Sequence, residues 1–255
     1  MKAMILAAGV GSRLRPLTND RPKALVTIAG HALLEIALMR LRGWGVREVI
    51  VNVHHHAEMI ADYLKANGNF GMQIELSREE NLLDTGGGLK KAAHFFLEYK
   101  NDSQQPLIVH NVDVISAIDL RQMMRFHTER NALATLAVQH RASSRYLLFD
   151  ENDRLCGRRI GRDGHDELAH PARDMQALAF SGIHVISPRI FAIFKEEGAF
   201  SIIDAYLRLA AEGESISAFR ADENYWRDLG RPESIVQAEE DIRNGRYSLP
   251  LSITA

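Results

Sequence analysis

The residues best suited to chemistry stand near the front of the chain. They form the string Leu6-Ala7-Ala8-Gly9-Val10-Gly11-Ser12-Arg13-Leu14-Arg15-Pro16-Leu17-Thr18, followed shortly by Lys23 in Arg21-Pro22-Lys23. Small residues let a backbone approach a ligand closely, and a glycine-rich turn presents consecutive N–H groups as an anion cradle. Arg13, Arg15 and Lys23 add cations beside that cradle. A triphosphate needs both features: amides to orient its oxygens and cations to neutralise them. Two other glycine-rich signatures are excluded. The dinucleotide fingerprint requires glycine where Leu14 stands, and no G-x-x-x-x-G-K-[ST] string occurs. A lone Gly-x-Gly would read as a tight surface turn with solvated arginines; the full string with Arg13 and Lys23 reads as a phosphate loop.

Two aspartates are candidates for the matching metal chemistry. Asp113, in Asn111-Val112-Asp113, directly follows an apolar strand, and Asp228 lies between Tyr225-Trp226 and Leu229-Gly230. Magnesium prefers oxygen ligands and commonly takes one or two protein carboxylates together with phosphates and water. The competing readings are a turn or helix-capping role for Asp113 and a carboxylate binding backbone amides for Asp228. The triplet His54-His55-His56 suggests a metal, but neighbours on a strand point to opposite faces and do not converge easily. A cleft-lining or capping role is the better reading. Met123-Met124 and Phe95-Phe96 sit at helical spacing and are read as core.

The elements that must position these residues alternate. Ala3 to Ala7, Glu48 to Val53, Met72 to Leu76 and Pro106 to Asn111 read as strands; Leu33 to Trp44, Ala57 to Ala66 and Gly88 to Tyr99 read as helices, with Gly45 stopping the first. This order predicts an α/β fold with a doubly wound, mostly parallel, Rossmann-like sheet and right-handed crossovers. Ligands in such sheets bind outside the carboxyl ends of the strands, which points to Ala8–Arg15, Asn52–His56 and Asn111–Asp113. The second half is less regular. Helices are expected over Ile118 to Arg130, Ile202 to Ala211 and Pro232 to Asn244, and strands over Ala132 to Gln139, Phe180 to Ile186 and Ser215 to Ala218. Tyr146 to Phe149 and Arg154 to Cys156 read as a hairpin turning at Asp150–Asp153, and the polar stretch Arg158 to Asp174 as a loop or flap. No internal repeat or linker is visible, so residues 1–255 are expected to form a single domain.

Of the 255 residues, 46% are hydrophobic and 25% charged, as in ordinary globular proteins, and the formal net charge of -2 shows no basic excess for a nucleic-acid partner. The single cysteine, Cys156, excludes an intrachain disulfide and a cysteine-based zinc site, which fits a reducing cytoplasm. The apolar run Met1 to Ala8 stops at Gly9, too short for a signal peptide or a membrane span, so a cytoplasmic protein with no membrane partner is expected. No interface pattern speaks to the oligomeric state.

The string Leu-Ala-Ala-Gly-x-Gly-x-Arg-Leu-x-Pro-Leu-Thr followed by Pro-Lys resembles the signature of the sugar-1-phosphate nucleotidylyltransferases, and the likeness runs from Met1 to the closing helix. The chain length and Asp84-Thr85-Gly86-Gly87-Gly88 look most like the short bacterial branch of N-acetylmuramate-1-phosphate uridylyltransferase and mannose-1-phosphate guanylyltransferase-like proteins, which lacks a C-terminal β-helix. The resemblance implies the nucleotide-diphospho-sugar transferase fold, with a nucleotide-binding half over 1–115, a sugar-phosphate-binding half over 116–230 and a closing helix and tail over 231–255. It implies that Leu6, Ala7, Ala8 and Gly9 contact base and ribose, that Gly11, Ser12 and Arg13 hold the β- and γ-phosphates, and that Lys23 sits on the α-phosphate. Glu79 and Gly87 match positions facing the nucleobase. Asp113 and Asp228 match the magnesium carboxylates, which makes Arg13, Lys23, Asp113 and Asp228 the catalytic set. Asn52, Asn111, Gly182 and Asp204 lie where such proteins line the sugar pocket.

The implied partners are a nucleoside triphosphate and a sugar-1-phosphate, the implied cofactor is Mg2+, and the implied product is a nucleotide sugar for cell-wall or glycan synthesis. UTP with an N-acetylmuramate-type sugar is favoured, then GTP with a mannose- or heptose-type sugar. Two departures stand out. Val112 occupies a position where relatives often carry glycine, and valine takes positive φ only at a cost. The Glu-Lys-Pro motif whose lysine neutralises the sugar phosphate is missing; Arg141, Arg145, Arg158, Arg159 and Arg162 are candidate substitutes, although each taken singly reads better as a solvated loop residue. Two other functions remain open. A cytidylyltransferase for phosphocholine or a similar alcohol requires an aromatic cage, which the sequence does not show clearly. A non-catalytic nucleotide sensor is expected to lack Lys23 or a metal carboxylate, and both are present. A dehydrogenase is disfavoured by the broken fingerprint.

Overall fold

Alternating apolar runs and amphipathic stretches become, in chain order, β1 (Lys2–Leu6), β2 (Thr27–Ile28), β3 (His31–Ala32), α1 (Leu33–Gly43), β4 (Glu48–Val53), α2 (Ala57–Ala66), β5 (Gln73–Arg78), α3 (Asp84–Lys91), α4 (Ala93–Leu97), β6 (Leu107–Asn111) and β7 (Val114–Ser116). They continue with α5 (Leu120–Glu129), β8 (Ala134–Gln139), β9 (Arg145–Phe149), β10 (Leu155–Ile160), β11 (Asp166–Leu168), β12 (Gln176–Ile186), α6 (Ile190–Ile193), α7 (Ile202–Ala211), β13 (Ile216–Arg220), β14 (Trp226–Asp228) and α8 (Pro232–Arg243). The computed structural model describes residues 1–98, 105–161 and 164–250. The fold is α/β with a mixed sheet. Its elements cluster into two compact units, each discontinuous in sequence: residues 1–83, 109–118 and 224 onward form the first, and residues 84–108 and 119–223 the second. Among the described residues no helix is long and apolar enough to cross a membrane.

In the first unit the strands lie in the order β6, β1, β4, β5, with β6 contributing from Val109 onward. The β1–β4 and β4–β5 pairs are parallel, with Leu6 beside Asn52 and Asn52 beside Ser77. Ala3, Met4, Ile5, Val49, Ile50 and Val51 are buried, as the strands of a parallel sheet covered on both faces require. The chain steps outward from β1 to β4 and β5, then places β6 on the other side of β1. The winding therefore reverses between β1 and β6, which is where ligands bind in such sheets. Helix α1 buries Leu33, Leu34, Ile36, Ala37, Leu38 and Leu41. It ends on Gly45 in the left-handed region (φ 88°), with Gly45 N–H donating to the Arg42 carbonyl and Val46 N–H to that of Leu41. This Schellman closure is available cheaply only to glycine.

The second unit is built around β12, whose first residues pair antiparallel with β9 and whose later residues pair antiparallel with β8; β13 runs parallel to β8. The register of β12 shifts between Phe180 and His184, and Gly182 (φ 73°) lies within that irregularity. Met123, Phe95 and Phe96 are buried, as expected of core residues, whereas Met124 is only half-buried. The stretch Arg158 to Asp174 departs from the expected loop or flap: β10 continues to Ile160 and pairs antiparallel with β11, Arg158 opposite Glu167 and Arg159 opposite Asp166. Cross-strand charge pairs, rather than apolar residues, make this hairpin, so the hydrophobic pattern did not reveal it.

The helix expected from Gly88 instead starts at Asp84 and is interrupted at Ala92; its expected end, Tyr99, lies outside the described residues. Gly86, before the expected start, is required by packing. A Cβ on Gly86 would lie 2.3 Å from the Phe200 ring, and the Gly86 and Gly87 N–H groups donate to the Phe200 carbonyl at 2.9 and 3.3 Å. Gly86→Ala gains about 1 kcal/mol of helix propensity but forces Phe200 to move. A net loss of about 1–2 kcal/mol is expected in urea unfolding; a more stable variant contradicts the packing account.

Candidate active site

The backbone leaves β1 at Leu6 and passes from buried Ala7 and Ala8 to exposed Val10, Ser12 and Arg13. Gly11 takes a left-handed conformation (φ 65°) and precedes a 3-10 turn over Ser12–Leu14. Leu14 is fully buried and anchors that turn, while the Thr18 hydroxyl donates to the Gly11 carbonyl at 2.9 Å. A Cβ on Gly11 would lie 3.0 Å from the Thr18 methyl and 3.1 Å from Lys23 Cβ. The loop thus closes on Lys23, and only glycine satisfies both the backbone and the space.

Lys23 forms an ion pair with Asp113, both side chains being largely buried (13% and 11% exposed). Asp113 follows β6, and its carbonyl accepts from Leu229 N–H at 2.8 Å. The antiparallel ribbon of β7 and β14 sets Asp228 opposite Val114, adjacent to Asp113. The two aspartates, far apart in sequence, are brought together by this register. Gly230 marks their meeting point: a Cβ there would lie 2.7 Å from Asp228 Oδ1, 2.9 Å from an Arg13 guanidinium nitrogen and 3.4 Å from Asp113 Oδ2. Gly230 N–H also donates to Asp228 Oδ1 at 2.7 Å. All four residues expected to be catalytic, Arg13, Lys23, Asp113 and Asp228, therefore converge. In the sequence Gly230 is only a neighbour of Asp228; its role is visible only once the carboxylates are placed around it.

Val112 needs no positive φ. It is absent from the residues that adopt one, is buried, and donates its N–H to the Leu6 carbonyl at 3.1 Å, tying the segment before Asp113 to the end of β1. Nearby, burial holds His110 neutral, with its pKa pushed down to about 4.

Asn52 and Glu79 form a buried frame rather than an open surface. Ala7 N–H donates to Asn52 Oδ1 (2.7 Å), the Asn52 amide donates to Glu79 Oε1 (2.7 Å), and Leu83 N–H donates to Glu79 Oε2 (3.0 Å). Both side chains, 2% and 5% exposed, join the root of the glycine-rich loop to the segment after β5. Asn52, expected to line a sugar pocket, here spends its amide oxygen on Ala7 and one amide N–H on Glu79. His54 pairs through Nδ1 with the Glu79 carbonyl at 2.8 Å, and His56 (φ 57°) stands at the N-terminus of α2. Among the described residues no group of three or more His, Cys, Asp or Glu is arranged to hold a metal. Two carboxylates with adjacent cations do fit a hard cation that takes its remaining ligands from phosphates and water.

The expected residues of the second unit are described within that unit. Gly87 is buried in α3, and Gly182 serves the irregularity in β12. Asp204 accepts from Arg158 at 2.5 Å, while Arg158 also donates to Glu167 (2.7 Å) and Arg159 pairs doubly with Asp166 (2.6 and 2.8 Å). Arg141 donates to the Phe180 carbonyl at 2.8 Å, Arg145 is exposed, and Arg162 lies outside the described residues.

A sheet that reverses its winding beside a glycine-rich loop, with two carboxylates and two cations gathered there, places the chain in the doubly wound α/β class with its polar cluster where such sheets bind ligands. The sequence profile of the nucleotidyl transferase family matches residues 2–245. The chain is 33% identical over 246 residues to an N-acetylmuramate alpha-1-phosphate uridylyltransferase of Caulobacter vibrioides, covering 93% of this chain and 95% of that protein. It is 29% identical to a mannose-1-phosphate guanylyltransferase of Mycobacterium tuberculosis, covering 95% of this chain but 65% of that longer protein. In fold it is similar to HddC from Yersinia pseudotuberculosis complexed with GMP-PN (TM-score 0.73, 22% identity, 94% of this chain and 99% of that one). The chain belongs to the nucleotidyl transferase family, and it is a nucleotidyltransferase.

Two outcomes are expected from this geometry. Gly230→Ala places a methyl among Asp113, Asp228 and Arg13; kcat/KM is expected to fall about a hundredfold or more with the melting temperature nearly unchanged. Activity within a few-fold of wild type would show that the carboxylates do not work at this point. Glu79→Ala leaves the Asn52 amide and Leu83 N–H without their acceptor, and chemical unfolding is expected to show a loss of about 2–3 kcal/mol.

Proposed function

We propose that the protein is a magnesium-dependent sugar-1-phosphate nucleotidylyltransferase. The observation that carries this reading is the convergence of Arg13, Lys23, Asp113 and Asp228 beside Gly230. A phosphate oxygen of the sugar-1-phosphate attacks the α-phosphorus of a nucleoside triphosphate. The new P–O bond forms as the bond to the β-phosphate's bridging oxygen breaks, and pyrophosphate carries away that electron pair. The attacking oxygen is already ionised, so no general base and no covalent protein nucleophile are required. Catalysis is positioning and charge neutralisation.

The residues divide this work. Backbone N–H groups of Gly11 and Ser12, with Arg13, hold the β- and γ-phosphates, and Lys23 moves from Asp113 to the α-phosphate. Asp113 and Asp228 hold magnesium, which when bound neutralises charge on the phosphoryl oxygens. Leu6 to Gly9 offer main-chain groups to base and ribose, and Asn111 closes the strand before Asp113. Glu79 supports the nucleobase-binding segment from beneath, through Asn52 and Leu83. The likeness to the Caulobacter uridylyltransferase over nearly its whole length favours UTP and an N-acetylmuramate-type sugar, ahead of GTP with a mannose- or heptose-type sugar. The proposed location is the cytoplasm.

The test is pyrophosphate release with magnesium from UTP, GTP, dTTP and CTP against a panel of sugar-1-phosphates and phosphocholine. One nucleotide–sugar pair is expected to dominate, and Asp113→Asn is expected to lower its rate about a hundredfold or more. Release only with CTP and phosphocholine would move the acceptor to a phospho-alcohol. Nucleotide binding with no release across the panel would indicate a sensor.

A further inference from the structure

The ribbon that pairs Asp228 with Asp113 is very short: β7 and β14 contribute three residues each, from segments more than a hundred residues apart. A two-stranded ribbon of this length does not hold itself together. What fixes it is a buried carboxylate on the closing helix. Asp241, in the last turn of α8, is 2% exposed. Its Oδ2 accepts from Arg227 Nη2 at 2.6 Å and Nε at 3.2 Å, and from the Tyr225 hydroxyl at 2.9 Å; its Oδ1 accepts from Arg246 at 3.3 Å.

Two of these partners lie on or beside β14. Arg227 immediately precedes Asp228, and Tyr225 immediately precedes the strand. The Tyr225 ring stacks on Tyr247 at 4.6 Å, and Ala117 N–H donates to the Tyr225 carbonyl at 2.8 Å. Gly245 closes α8 so that Arg246 N–H donates to the Asp241 carbonyl at 2.8 Å, which fixes the helix end at the clamp. Burial alone raises the Asp241 carboxyl, but hydrogen bonds from Arg227 and Tyr225 and the nearby arginine charges outweigh it and leave the group below the usual carboxylate range.

We infer that Asp241 is a positioning residue for the proposed magnesium carboxylates: by gripping Tyr225 and Arg227 it sets where Asp228 stands relative to Asp113. The inference rests on the metal-dependent reading above. Groups bonded directly to a metal ligand tune affinity by about 10- to 100-fold; Asp241 grips the residues flanking Asp228 rather than Asp228 itself, so an effect at the lower end of that range is expected. Asp241 touches neither the nucleotide nor the metal in this account.

The experiment follows Mn2+ binding by electron paramagnetic resonance, with saturating UTP or GTP, in wild type, Asp241→Asn, Tyr225→Phe and the control Asp228→Asn, alongside metal-free nucleotide binding by calorimetry. Asp241→Asn is expected to weaken Mn2+ binding about tenfold while metal-free nucleotide binding stays within twofold. Tyr225→Phe removes a single donor and is expected to shift Mn2+ binding about two- to threefold in the same direction, which keeps the test open if Asp241→Asn does not fold. Unchanged Mn2+ affinity in folded Asp241→Asn or Tyr225→Phe, with only a lowered melting temperature, overturns the inference and leaves the metal reading standing. A wild type that binds nucleotide without Mn2+ affinity, or an Asp228→Asn control that binds Mn2+ normally, overturns the metal reading and the inference together.

Discussion

The nearly buried ion pair between Lys23 and Asp113 is the constraint on which the site depends. Two charges removed from water attract strongly but each loses hydration, so neither is tolerated alone. In the first unit the pair joins the segment that closes the phosphate loop to the segment that leaves β6. In the magnesium-dependent reaction proposed above, each charge stabilises the other until phosphate and metal ion offer replacement partners. Phosphate matches the lysine and a divalent cation matches the aspartate, so the exchange needs both. A site organised this way is held in shape beforehand and need not be assembled by its ligand.

The surrounding fold keeps those two side chains in place. The winding reverses between β1 and β6 beside the site, Leu14 pins the loop into the core, and the Val112 N–H ties the chain before Asp113 to the end of β1. The Ala7–Asn52–Glu79–Leu83 hydrogen bonds lock the loop's root to the strand ends beside it. The β7–β14 ribbon carries Asp228 to the same place. Glycine recurs where a side chain would intrude: Gly11 against Thr18 and Lys23, and Gly230 against Asp113, Asp228 and Arg13.

Much of this was legible in the sequence where local pattern and chemistry agree. The strand at Glu48–Val53 and the helices at Ala57–Ala66 and Ile202–Ala211 fall on the expected residues, because β-branched runs and helical periodicity declare themselves. The glycine-rich loop, Lys23 and the two aspartates stand out in the sequence because their residue types suit a triphosphate and its counter-ion, and the structure brings Arg13, Lys23, Asp113 and Asp228 together. What escaped depends on distant partners. Gly86 and Gly87 lie inside a helix because Phe200 packs against it, and the β10–β11 hairpin is written in charge pairs. Asn52 and Glu79 looked like ligand contacts by position, yet their hydrogen bonds turn inward. The three-residue strands β7 and β14 carry too little pattern to be seen alone, although they decide where Asp228 sits.

The proposed exchange of partners at Lys23 is open to view in a structure bound to a non-hydrolysable nucleoside triphosphate with magnesium. Lys23 Nζ is expected to leave Asp113 and stand roughly 3 Å from an α-phosphoryl oxygen, with Asp113 and Asp228 both on the metal ion. An intact Lys23–Asp113 pair, with the triphosphate and metal held elsewhere, would contradict it.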